Sequence, residues 1–81
     1  MNKLSFDFGA HSCFSIEQVA NFVNNGSDIQ GFEHLTPEFL AAAYASESCE
    51  SDSIEEAEAH LDFLSEAGAQ FDAQKALDLL S

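Results

Sequence analysis

The chain has 81 residues, enough for one small domain and no more. Fifteen Asp and Glu face two lysines, Lys3 and Lys75, with no arginine, for a formal net charge of −13 at pH 7. That balance excludes ordinary nucleic-acid binding, which needs Lys and Arg on the phosphates, while eight Phe and 46% hydrophobic residues argue against acid-driven disorder.

In chain order, Leu4, Phe6 and Phe8 alternate with polar residues. With no obvious second stretch to pair with, they read as an extended N-terminal arm laid on the core, a short strand pairing being the alternative. Gly9 ends it. The N-terminus carries one Lys and no apolar h-region, so it does not read as a secretory signal. No apolar run reaches the ~18 residues of a membrane span. The expected location is therefore the cytoplasm, with Cys13 and Cys49 reduced.

A first helix starts at Ser15, whose capping box closes with Gln18 and whose staple pairs Phe14 with Val19. Ile16, Val19, Ala20 and Val23 share one face. Asn24-Asn25-Gly26 stops it, and Ser27 to Leu35 connects onward, burying Ile29, Phe32 and Leu35. The second helix takes Thr36 as N-cap and Pro37 at its first position, where a missing N–H is harmless. Leu35 and Leu40 form its staple, and Phe39, Leu40, Ala43 and Tyr44 its apolar side. Residues 46 to 52 lack periodicity and read as a loop.

A third helix begins at Ser53, boxed with Glu56, with Ile54, Ala57, Leu61 and Leu64 as a narrow apolar stripe and Gly68 as its stop. Asp72 caps a short fourth helix to Leu80, with Ala73, Ala76, Leu77 and Leu80 inward. The expected fold is all-α: about four short helices as two helical hairpins, with the extended arm, in a single acidic domain.

Glu47, Glu50, Asp52, Glu55, Glu56, Glu58, Asp62 and Glu66 hold more than half of the acids, without one intervening Lys or Arg. On a wheel of about 100° per residue, Glu55, Glu58, Asp62 and Glu66 fall within about 80° of one another. They point well away from the apolar stripe. Glu47, Glu50 and Asp52 extend the row from the preceding segment. Like charges at these spacings repel by tenths of a kcal/mol per pair, a penalty that solvated faces usually avoid by mixing signs. A row of carboxylates rising ~4.5–6 Å per step can stand in for a phosphate backbone. The competing readings are solubility and salt adaptation, which acidity also serves. Phe63 sits about 130° from the centre of the apolar stripe. Packing beneath the fourth helix is its favoured placement; the other is beside the carboxylates as an interface anchor.

His11, Cys13, His34, Cys49 and His60 are potential ligands, but they lack the close pairs of a structural zinc site, so no metal and no cofactor are expected. No G-x-S-x-G, phosphate-binding loop, H-E-x-x-H or glycine-rich nucleotide loop occurs. The chain does not read as an enzyme.

Two resemblances bear on function. Thr36-Pro37-Glu38-Phe39-Leu40-Ala41-Ala42 resembles the T-P-L-H-L-A-A opening of an ankyrin repeat, and the segments at Asn25-Gly26 and Ala67-Gly68 resemble the ends of its second helices. Gly26 and Gly68 stand further apart than that family's period of about 33. The resemblance implies stacked helices that bind proteins through an apolar groove. In size, charge and absence of catalytic motifs, the chain also resembles the small acidic inhibitors of phages and mobile elements, including anti-CRISPR and DNA-mimic proteins. That class implies a non-catalytic inhibitor acting in the host cell of a phage. It would occupy the basic, nucleic-acid-binding surface of a partner protein, with no direct contact to nucleic acid or membrane. Glu47, Glu50, Asp52, Glu55, Glu58, Asp62, Glu66 and Phe63 would form its site. The oligomeric state is left open.

Overall fold

A computed structural model describes residues 2, 4, 15–25, 35–49 and 53–81. They form four helices: α1 (Ile16–Asn25), α2 (Pro37–Ser48), α3 (Ile54–Glu66) and α4 (Ala73–Leu80), with no strand among the described residues. The fold is all-α, as expected.

Each start and stop has a local cause. At α1, the Ser15 N–H donates to Gln18 Oε1 (2.8 Å) and the Gln18 N–H to Ser15 Oγ (3.3 Å), so the capping box is closed on both sides. Thr36 Oγ1 accepts from the Phe39 N–H at 3.1 Å to cap α2, and Ser53 Oγ accepts from the Glu56 N–H at 3.4 Å to cap α3. Asp72 caps α4 by accepting from the N–H groups of Gln74 (3.0 Å) and Lys75 (3.3 Å). The end of α3 is a Schellman turn. The Ala69 N–H returns to Leu64 O (3.2 Å) and the Gly68 N–H to Ser65 O (3.0 Å). That turn requires φ +109° at Gly68, a conformation that side-chain-bearing residues rarely adopt.

α2 is the hub. It packs against α1, α3 and α4, and it buries Leu40, Ala41, Ala42, Ala43, Ala45 and Ser46. The expected pairs α1–α2 and α3–α4 do touch, but the packing of α2 on α3 and α4 merges them around one core. Val19, Ala20 and Val23 enter it from α1, Ala57, Leu61 and Leu64 from α3, and Ala76 and Leu80 from α4. Alanines at the centre let three neighbours approach the α2 backbone closely; leucines there would hold them apart.

Several expectations are corrected. Residues 46 to 48, read as loop, continue α2. Ser46 looks polar in the sequence but is 3% exposed, and its hydroxyl is satisfied by the Leu4 N–H at 3.1 Å. Ile54, expected inward, is exposed, because it lies at the edge of the apolar stripe and at the helix end. Ala73 is exposed too, since α4 meets the core only from Ala76 onward. Of the extended arm, Asn2 and Leu4 are described. Asn2 donates from its backbone N–H to Leu80 O (2.7 Å) and from Nδ2 to Ser81 O (2.8 Å), capping the end of α4. Leu4 packs on the core. The expectations for Phe6, Phe8, Gly9, Phe14, Gly26, Ile29 and Phe32 lie outside the described residues.

Among the described residues, no helix is long and apolar enough to cross a membrane.

Candidate acidic face and its flank

The sequence makes α3 amphipathic, and the core fixes its rotation. Because Ala57, Leu61 and Leu64 are buried, Glu55, Glu58, Asp62 and Glu66 are turned to solvent, and all four are exposed. Glu55 accepts a hydrogen bond from Ser53 Oγ at 3.3 Å. Like charges are thus held in a row by packing on the far side of the helix. Glu55 and Glu56 in the first turn suit the positive end of the helix dipole, whereas Asp62 and Glu66 lie toward its negative end, where carboxylates are disfavoured. Glu47, near the end of α2, is also exposed. Glu50 and Asp52 lie outside the described residues.

Phe63 does not pack beneath α4. It is 55% exposed, and its ring meets His60 edge-on with centroids 6.3 Å apart. The reason is its position on the helix, about 130° around from the centre of the apolar stripe. His60 in turn meets Tyr44 edge-on at 6.5 Å, so Tyr44, His60 and Phe63 form an aromatic run from α2 onto the surface of α3.

Sequence reasoning missed what lies beside that run. Cys49, Glu56 and His60 each offer one donor atom, and these atoms lie within 4.8 Å of one another. Glu56 Oε1 and His60 Nε2 are 3.9 Å apart across one helical turn. The E-x-x-x-H spacing is the available signal: Cys49 and His60 are among the potential ligands in the sequence, whereas Glu56 reads there only as the capping-box residue of α3. Of the other potential ligands, His11, Cys13 and His34 lie outside the described residues.

Compared with family models, curated proteins and solved structures, the chain matches none.

Proposed function

We propose that the protein is a non-catalytic inhibitor, of the nucleic-acid-mimic and anti-CRISPR-like kind. It occupies the basic, nucleic-acid-binding surface of a partner protein with the outer face of α3, in the cytoplasm of a phage's host cell. One observation carries the reading. Four carboxylates stand exposed at successive three- and four-residue steps along a helix that has no Lys or Arg. Such a row presents negative charge at a fixed pitch, so the partner finds it already ordered, and little entropy is lost on docking. The exposed Phe63 supports it as an apolar contact near the row. Association of this kind is steered by charge, hence fast and strongly salt-dependent.

The test is capture from bacterial lysate on immobilised protein at low and high salt, with the bound proteins then challenged with duplex DNA. The same capture is run with the Glu55→Lys, Glu58→Lys, Asp62→Lys and Glu66→Lys quadruple variant, whose buried residues are untouched. Expected are DNA-binding proteins that are held at low salt, released at high salt, displaced by DNA and not captured by the variant. Undiminished capture by the folded variant excludes the carboxylate row as the site. Capture that ignores salt but fails when Phe63 or Tyr44 is truncated points instead to an apolar-groove adaptor of the ankyrin-like kind.

A further inference from the structure

Cys49 follows the last residue of α2, and its backbone is pinned there by a bond from its N–H to Ala45 O at 3.1 Å. Glu56 and His60 are one turn apart on α3, so both project from the same side of that helix. The packing of α2 on α3 brings the thiol to them. All three side chains are half-buried, His60 at 24% and Glu56 at 33% exposure, and the Tyr44 and Phe63 rings flank the imidazole edgewise. The group is therefore seated against the fold and its imidazole is oriented by neighbours.

We propose that Cys49, Glu56 and His60 form a binding site for a zinc-class divalent cation. A thiolate, an imidazole and a carboxylate are the donors such ions take. Zinc–ligand bonds of about 2.0–2.3 Å in tetrahedral geometry place donors roughly 3.3–3.8 Å apart. The Glu56–His60 separation of 3.9 Å lies just beyond this range, and the 4.8 Å bound on the set asks for about 1 Å of side-chain closure at most. Sulfur and nitrogen select against calcium and magnesium, which prefer oxygen alone. Binding moves the Cys49 thiol proton to solvent and forms a metal–sulfur bond, with no change of oxidation state. Three protein donors leave a fourth position open to water. The bound ion ties the end of α2 to the first turns of α3, across the segment 50–52. By helical rotation the pair lies about 140° around α3 from the centre of the carboxylate row. The ion therefore leaves that row facing solvent, and this site stands or falls independently of the inhibitor reading.

The test uses the full chain, reduced and stripped of metal with a chelator, titrated first with Co2+ and then with Zn2+. Expected is one ion per chain, with a near-ultraviolet thiolate-to-cobalt charge-transfer band and visible bands of tetrahedral cobalt. Both are displaced by Zn2+, which raises the melting temperature. Cys49→Ser abolishes the charge-transfer band. Glu56→Gln and His60→Ala each weaken Zn2+ binding by about tenfold or more, since ligands matter at least as much as the outer groups that support them. Cys13→Ser retains the band, and far-ultraviolet circular dichroism checks that each variant is folded. The proposal is overturned if wild-type protein binds Co2+ without the thiolate band, if the band survives Cys49→Ser, or if Mg2+ competes as well as Zn2+.

Discussion

α2 and α3 are consecutive helices of similar length, and they divide the work of the chain between them. α2 is buried on nearly every side, with Ala41, Ala42, Ala43 and Ala45 fully enclosed among the other three helices. α3 buries only Ala57, Leu61 and Leu64, keeps Glu56 and His60 half-buried, and exposes Glu55, Glu58, Asp62, Glu66 and Phe63. A helix that is apolar all round becomes the centre of a small core, and one with a narrow apolar stripe becomes its edge. The difference shows where this chain can tolerate its charge. The densest row of like charges lies on a helix whose far side is locked in the core, so its repulsion is spread along one exposed face and kept out of the packing.

The most severe way to break that division is to place one charge on each helix. Ala42→Glu buries an unpaired carboxylate and is expected to destabilise by about 3 kcal/mol or more, enough to unfold so small a domain. Ala59→Glu, on the exposed part of α3, should change stability by no more than about 0.5 kcal/mol. Urea unfolding followed by circular dichroism compares the two; equal midpoints mean that α2 is not the enclosed helix. A milder probe is Ser46→Ala. It removes the acceptor of the Leu4 N–H and should lower stability by about 1–2 kcal/mol, with faster amide exchange at Leu4. The smallest effect is a gain. Glu58→Gln with Asp62→Asn relieves like-charge neighbours at helical spacing and should add a few tenths of a kcal/mol at low salt. The gain should vanish at high salt, where screening already removes the repulsion. Persistence of the gain at high salt would show that the carboxylates do not repel as their spacing dictates.

Much of this fold is written locally. Ser15 with Gln18, Thr36 with Pro37, Ser53, Gly68 and Asp72 each act within a few residues of themselves, so their sequence signatures and their observed bonds coincide. The carboxylate row was equally legible, because a helical wheel needs only the period and the apolar stripe. What the sequence hid depends on partners far along the chain. Ser46 reads as polar until the Leu4 N–H arrives to satisfy it, and that is why α2 looked one turn too short. Phe63 could be placed only once the other helices had taken their positions. Cys49, Glu56 and His60 come together across a change of helix, which linear ligand spacing does not encode.

Asn24 offers a last example of such distance. Its side-chain amide donates from Nδ2 to Gly68 O (2.9 Å) and accepts at Oδ1 from the Gln70 N–H (2.6 Å). One amide thus grips both edges of the turn between α3 and α4, as a neighbouring strand would. The acceptor and donor it engages are 44 and 46 residues away in the chain, respectively. The Gln70 amide is accordingly sheltered from exchange with solvent only while α1 stays docked. If the first helix and the last turn open together, exchange at that one backbone proton is expected to time both.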